Sequence, residues 1–79
     1  MYLRSDSAAG VRFLASVRAG RGVKPSARAA GVGKETGYRW LRAAYLAFRE
    51  RGFSAVEAQA ELGHCTPLAA VWEQARATA

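Results

Sequence analysis

Basic and hydroxyl-bearing side chains cluster between Lys24 and Arg42, where they surround a glycine-rich turn. The guanidinium of arginine presents a planar fork of N–H donors that matches carboxylate and phosphate groups, and the ammonium of lysine adds a mobile point charge. Side chains of these types bind an anionic partner and need no covalent step. The candidate binding residues are Lys24, Arg28, Lys34, Thr36, Tyr38, Arg39 and Arg42.

Covalent and metal chemistry find little support in the sequence. His64 and Cys65 are the one imidazole and the one thiol, and a metal site or a thiol nucleophile needs further partners of these types. We therefore expect no catalytic residue, no metal and no cofactor, and no small-molecule ligand is evident. A single cysteine also excludes an intrachain disulfide, which favours a reducing cytoplasm.

The formal charge of +6 over 79 residues is unevenly distributed. Residues 1–49 hold ten Lys or Arg and two Asp or Glu, a charge of +8. Residues 50–79 hold two Lys or Arg and four Asp or Glu, a charge of −2. The N-terminal part is therefore expected to meet any polyanionic partner.

Length and composition limit the class of protein. With 79 residues, of which 51% are apolar, the sequence predicts one small folded domain, residues 1–79. The first residues form no apolar signal segment, and no apolar run approaches the ~20 residues that a bilayer requires, so we expect neither secretion nor a membrane partner. Within the domain we distinguish a basic part, 1–51, from an acidic C-terminal helical pair, 52–79.

The spacing of apolar residues predicts an all-α protein of about five helices, because these residues recur at intervals of three and four. Ser5 or Asp6 is expected to cap a first helix that ends near Ala19. The apolar side of this helix is predicted to be Val11, Phe13, Leu14 and Val17. Pro25 suits the first turn of a short second helix, from Pro25 to Ala30.

A third helix, from Lys34 to Arg51, follows the glycine-rich turn and carries the strongest apolar stripe. The stripe consists of Gly37, Trp40, Leu41, Ala44, Tyr45 and Phe48. Gly31 fits the left-handed end of the second helix. A glycine in mid-helix, such as Gly37, indicates close approach of another helix, and Ala27 and Ala30 are small enough to permit it.

The C-terminal part is predicted to form two more helices. Ser54 and Glu57 fit a capping box at the start of a fourth helix that runs to about Leu62, and Thr66 with Pro67 fits the start of a fifth. The apolar residues of this pair exceed what a three-helix core requires, so we expect them to pack on the first three helices and to form a self-association surface. They are Val56, Leu62, Leu68, Val71 and Trp72. A homodimer is the expected state.

The order of these features is typical of a helix-turn-helix: a short helix, a turn at Gly31, an apolar residue at Val32, and a second helix with a basic outer side. Residues 31–42, GVGKETGYRWLR, resemble the helix-turn-helix segment of bacterial insertion-sequence transposases and of related phage and plasmid regulators. In those transposases a stretch like G-V-S-x-x-T-G-Y-x-W-L precedes the catalytic part. Gly33 stands where that family commonly has a capping serine, and the acidic catalytic domain has no counterpart within these 79 residues. The resemblance implies binding of double-stranded DNA without cleavage.

The DNA-binding hypothesis divides the candidate residues into two groups. Those expected to reach bases are Lys34, Thr36, Tyr38 and Arg39. Those expected to contact phosphates are Lys24, Arg28 and Arg42. We expect a small transcriptional or recombination regulator in a bacterial or phage-infected cytoplasm, associated with the nucleoid. Two alternatives are the N-terminal DNA-binding piece of a transposase and a small protein-interaction module whose basic side binds an acidic protein. Whether residues 54–78 also contact DNA stays open.

Overall fold

The described chain consists of five α-helices joined by short turns. The computed structural model describes residues 7–63 and 67–78. The helices are α1 (Ala8–Arg18), α2 (Val23–Ala29), α3 (Lys34–Glu50), α4 (Ala55–Leu62) and α5 (Leu68–Thr78). Neither described range contains a β-strand, so the predicted all-α architecture with about five helices is confirmed.

The start of α1 is set by Ser7. Its side chain accepts a hydrogen bond from the backbone N–H of Gly10, with 3.2 Å between Oγ and N. The predicted caps, Ser5 and Asp6, lie outside the described residues, and the observed cap corrects that prediction. Three consecutive residues here carry side-chain oxygens suited to capping, so residue type alone does not select among them.

Two helices begin at residues other than those that their prolines predicted. α2 begins at Val23, two residues before the predicted start at Pro25. Pro25 is the third residue of the helix, where a backbone N–H has no intrahelical partner, so its ring is accommodated without loss of a hydrogen bond. α5 begins at Leu68, directly after Pro67, and the predicted cap Thr66 lies outside the described residues.

The core lies where α1 and α2 cross α3. Phe13 and Val17 from α1 join Trp40 and Leu41 from α3 in one buried cluster. The rings of Phe13 and Trp40 pack edge to face with their centroids 5.6 Å apart, an arrangement that aromatic pairs prefer. The prediction that Val11 belongs to the apolar side of α1 is wrong, because its side chain is 58% exposed.

One buried polar contact ties α1 to α2. Ser26 is fully buried, and its hydroxyl donates to Oγ of Ser16 at 3.0 Å. A buried hydroxyl without a partner is destabilising, so this contact removes the penalty of placing a serine in the core. In the described part of the chain no buried side-chain polar atom lacks a hydrogen-bond partner.

The two C-terminal helices pack on the first three. At the start of α4, Ser54 Oγ accepts from the N–H of Glu57 at 3.1 Å, and Glu57 Oε1 accepts from the N–H of Ser54 at 2.8 Å. These two bonds confirm the predicted capping box. α4 contributes Leu62 to the core, and α5 packs the ring of Trp72 on that of Tyr45 with centroids 5.3 Å apart.

The structure divides the predicted C-terminal apolar surface into two sets. Leu62 and Trp72 are buried within the chain, so they pack internally and cannot contact a second copy of the protein. Val56, Leu68 and Val71 are 77%, 37% and 59% exposed. Only these three of the predicted set remain on the surface.

A hydrogen-bonded cluster around Glu73 fastens α5 to α3. The hydroxyl of Tyr45 donates to Glu73 Oε1 at 2.9 Å, and Nε of Arg49 donates to the same oxygen. Arg76 Nη1 lies 3.5 Å from Glu73 Oε2, and Arg49 Nη1 also donates to the carbonyl oxygen of Phe53 at 2.7 Å. The hydrogen bonds from Arg49 and then Tyr45 hold the pKa of the Glu73 carboxyl below its usual value.

The lowered pKa of Glu73 predicts that acid weakens the attachment of α5. A carboxylate with a lower pKa in the folded chain contributes stability above its unfolded pKa, about 4.5, and loses it as the pH falls through the folded value. We expect the Tm of the protein to fall between about pH 5 and about pH 3, and to fall less in Glu73→Gln. Thermal melts followed by circular dichroism measure this difference.

The control for this experiment is Glu61→Gln, which removes an exposed carboxylate outside the cluster. Some pH dependence should survive in Glu73→Gln, because a hydrogen bond from the Ser54 backbone also lowers the pKa of the Glu57 carboxyl. If the Tm of Glu73→Gln and of the wild type fall in parallel with pH, the cluster does not contribute to the acid sensitivity.

Candidate nucleic-acid interface

The turn between α2 and α3 occupies residues 30–33 and is closed by two backbone hydrogen bonds. Gly31 has φ +79° and donates its N–H to the carbonyl oxygen of Arg28 at 3.0 Å, and Val32 donates to that of Ala27 at 2.9 Å. This pair of bonds is a Schellman motif, in which a left-handed residue ends the helix. Val32 is half-buried against the core, so the direction in which the chain enters α3 is fixed.

Gly37 is the point at which α3 comes closest to the first two helices. A Cβ at this position would lie 2.9 Å from Cε1 of Phe13 and 3.2 Å from Cβ of Ala27. Ala27 and Ala30 are both buried. The predicted close crossing of small residues is therefore present, and it presses the inner side of α3 onto α1 and α2.

The outward side of α3 carries a strip of side chains, the α3 strip, whose members recur at intervals of three and four residues. Its members are Glu35, Arg39, Arg42, Leu46 and Glu50. Tyr38 stands beside the strip and is 38% exposed, and Lys34 is exposed at the first position of the helix. Thr36, which is in the predicted base-reading group, is half-buried and lies off the strip. The structure thus brings Tyr38, Arg39 and Arg42 together and sets Thr36 apart.

Glu35 is an acidic member of the strip that the predicted site does not include. The N-cap of α3 is Gly33, which has no side chain to cap the helix. Oε2 of Glu35 lies 3.6 Å from the position that a Cβ at residue 33 would take, so this carboxylate covers the start of α3. The helix dipole favours a negative charge at that end. An anionic ligand that approaches the start of α3 must therefore displace or avoid Glu35.

The three residues predicted to contact phosphates are all on the surface. Lys24 and Arg28 are exposed and lie four residues apart on α2, hence on one side of that helix. Arg42 is exposed in the middle of the α3 strip. Cationic side chains are thus offered by both helices that the Gly31 turn joins.

Several arginines that contribute to the basic charge of the N-terminal part are held by contacts elsewhere. Arg49 binds Glu73. The guanidinium of Arg51 lies over two phenylalanine rings, 5.7 and 5.6 Å from their centroids. Nε of Arg18 donates to the backbone carbonyl of Glu61 at 3.1 Å. These cations stabilise the fold. Because Arg18 and Arg49 are two of the ten Lys or Arg in residues 1–49, the charge of +8 overstates what that part of the surface offers to a ligand.

Two grooves flank the α3 strip and meet at shared residues. One, of about 410 Å³, is lined by Arg39, Arg42, Ala43 and Leu46. The other, of about 230 Å³, lies between α3 and α5 and is lined by Arg42, Leu46, Glu50, Trp72, Ala75 and Arg76. Arg42 and Leu46 line both grooves, so the two grooves adjoin at these side chains. Sequence reasoning missed Leu46 and Arg76, since only the docking of α5 brings them together.

Comparison with protein-family models, with curated proteins and with solved structures finds no match to this chain. Across residues 7–63 and 67–78, no helix has the length and apolar character needed to cross a membrane. The same ranges contain no group of three or more His, Cys, Asp or Glu side chains placed to hold a metal ion. His64 and Cys65 lie outside the described residues.

Proposed function

We propose that this protein binds double-stranded DNA, with α2, the Gly31 turn and α3 acting as a helix-turn-helix and α3 as the recognition helix. The observation that carries the proposal is the two-sided character of α3. Its inner side is sealed by Gly37, Trp40 and Leu41, while its outward side presents the exposed Arg39 and Arg42 on the helix that follows the hydrogen-bonded Gly31 turn. The major groove of DNA is wide enough to admit one such helix.

Residue roles follow from position on α3. Arg39 is the proposed base reader, because an arginine fork can bind guanine O6 and N7 together, with a discrimination of about 1–3 kcal/mol. Lys34 and Tyr38 flank Arg39. Thr36 is half-buried, so we place it at the edge of the interface, where its methyl group can contact a thymine methyl. Contacts to phosphates are made by the residues predicted for them, Lys24, Arg28 and Arg42.

The biological role that fits a small reader of this kind is a transcriptional or recombination regulator in the cytoplasm of a bacterium or an infected cell, close to the nucleoid. We further propose that it acts as a homodimer. Val56, Leu68 and Val71 are exposed apolar side chains on α4 and α5, away from the α3 strip in sequence. Helix-turn-helix dimers bind paired half-sites one helical turn apart, so a two-fold symmetric target is expected.

The test is selection of preferred sites from random duplexes, followed by binding measurements on variants. Arg39→Ala should relax the preference at one base pair, whereas Arg42→Ala should weaken all sequences alike. If about six phosphates are neutralised, the logarithm of the binding constant should fall against the logarithm of the salt concentration with a slope of about −5. The selected sequences also show whether the target is symmetric.

A charge-matched control is Arg51→Gln, because Arg51 lies over aromatic rings and not on the α3 strip. This variant should keep the wild-type affinity and salt slope. A wild-type slope near zero would exclude the proposal. An acidic protein partner that stays bound when unrelated duplex DNA is added would favour the protein-interaction alternative.

A further inference from the structure

We propose that α5 takes part in DNA binding: the groove between α3 and α5 receives one strand of the DNA backbone, and Arg76 together with Arg42 donates to its phosphates. This inference rests on the proposed function of α3. It assigns a contact with DNA to one residue of the acidic C-terminal part. The net charge of −2 on that part would not by itself suggest such a contact.

The adjacency of the two grooves is the first support. The groove between α3 and α5 shares Arg42 and Leu46 with the groove beside Arg39. A strand that borders the major groove around the outward side of α3 can therefore pass from one groove into the other, across Arg42 and Leu46, and reach α5. Phosphates flanking the major groove are the usual positioning contacts of DNA-binding proteins.

The chemistry of the lining is the second support. Arg39, Arg42 and Arg76 supply guanidinium groups, while Leu46, Trp72 and Ala75 supply an apolar floor. Guanidinium forks match phosphate oxygens, and apolar side chains can contact the deoxyribose rings between them. This pattern fits a sugar–phosphate chain better than a uniformly charged ligand.

The placement of Arg76 is the third support. Tyr45 and Arg49 hold one carboxylate oxygen of Glu73, and the other lies 3.5 Å from Nη1 of Arg76. Guanidinium has five N–H donors, so this contact leaves others able to point into the groove. The side chain of Arg76 is 40% exposed. Glu73 therefore orients Arg76 at the groove without occupying its full hydrogen-bonding capacity.

Loss of the Glu50 charge should change the DNA affinity in the opposite direction from loss of the Arg76 charge. Glu50 lines the same groove and is exposed. A carboxylate beside the proposed path of a phosphate chain repels it, so removing this charge should strengthen DNA binding. If the groove does not contact DNA, neither Arg76→Gln nor Glu50→Gln should change the DNA affinity by more than a weak, salt-screened long-range effect.

The experiment measures binding of the full chain to a mixed-sequence duplex over a salt series. Arg76→Gln should weaken binding roughly 3- to 10-fold at about 0.1 M salt and make the salt slope shallower by about one. Glu50→Gln should tighten binding. Arg76→Lys should keep the salt slope, because it keeps the charge. Arg51→Gln, the same charge change away from both grooves, should match the wild type.

The outcomes separate this inference from the proposed function. If Arg42→Ala reduces the salt slope while Arg76→Gln and Glu50→Gln both match the wild type, α5 has no contact with DNA and the inference is wrong, although α3 still binds. If the wild type shows no salt-dependent affinity for duplexes, the proposed function itself fails. If Arg76→Gln and Arg76→Lys lose affinity equally and both lower the Tm, the effect comes from loosening α5 and the phosphate role is wrong. Displacement of the duplex by polyglutamate at low concentration would assign the groove to an acidic peptide and overturn the inference.

Discussion

Gly63→Ala is expected to lower the free energy of unfolding by about 2–4 kcal/mol, a large share of the stability of a domain this small. Gly63 ends α4 with φ +68°, a conformation that disfavours residues with a Cβ. A Cβ there would also lie 2.8 Å from both Cα and the carbonyl oxygen of Arg18. Those are backbone atoms at the end of α1, and they cannot rotate away as a flexible side chain would.

The two effects at Gly63 can be separated with a matched control. Gly52 has φ +96°, and a Cβ built on it meets no atom within 4 Å, so Gly52→Ala carries conformational strain without a clash. We expect Gly52→Ala to destabilise by about 1–2 kcal/mol. Urea denaturation followed by circular dichroism measures both variants, with the midpoint compared at constant slope. If Gly63→Ala is no more destabilised than Gly52→Ala, a Cβ at residue 63 does not clash with the backbone at the end of α1.

The presence of a helix can be predicted from signals that act within a few residues, such as caps and terminal glycines. The capping box of Ser54 and Glu57 and the glycine at position 31 each act within a few residues, so their effects were predictable. Helix starts were less predictable for physical reasons. A proline is tolerated at any position of the first turn, so Pro25 does not mark the first residue of α2.

The placement of apolar side chains depends on helix geometry as well as on composition. Val11 and Phe13 are two residues apart and therefore point to different sides of α1, which a strict helical count would have revealed. Trp72 was harder to assign, because its burial depends on Tyr45, 27 positions earlier in the chain. Packing partners at such separations are not encoded in local spacing.

For the candidate site, the exposure of side chains on α3 was easier to predict than the contacts that hold the other arginines. Position on α3 correctly put Lys34, Tyr38 and Arg42 on the surface. Which arginines serve the fold was not predictable, because the partner of Arg49 is Glu73 on another helix. The same limit hid Arg76, since its position at the groove follows from the way in which Glu73 holds α5 on α3.

Gly37→Val is expected to destabilise the protein by about 2–4 kcal/mol and to weaken the proposed DNA binding even where the chain stays folded. A Cβ at this position would lie 2.9 Å from Cε1 of Phe13 and 3.2 Å from Cβ of Ala27. Phe13 is fully buried and its ring packs on Trp40, so it has little room to yield. Moving α3 outward is the remaining response, and it would change the angle at which the α3 strip is presented.

Gly37→Ala sets two effects against each other and sharpens the test. Alanine favours a helix interior over glycine by about 1 kcal/mol, whereas overpacking a core typically costs about 1–3 kcal/mol. We expect the clash to outweigh the propensity, because a fully buried ring and a helix-borne methyl group face the new Cβ from two sides. Ala47→Val, at an exposed position of the same helix that lines neither groove, is the control for the β-branched side chain and should be nearly neutral.

A double-mutant cycle identifies the contact responsible. Phe13→Leu removes the ring atoms that face Gly37, so the combination with Gly37→Ala should be less destabilised than the sum of the single changes by about 1 kcal/mol. Chemical denaturation of the four chains gives this coupling energy. Additive effects would mean that Phe13 does not limit the approach of α3. A favourable coupling, joined to partial recovery of the proposed DNA affinity, would show that the same contact sets both the stability of the fold and the position of α3.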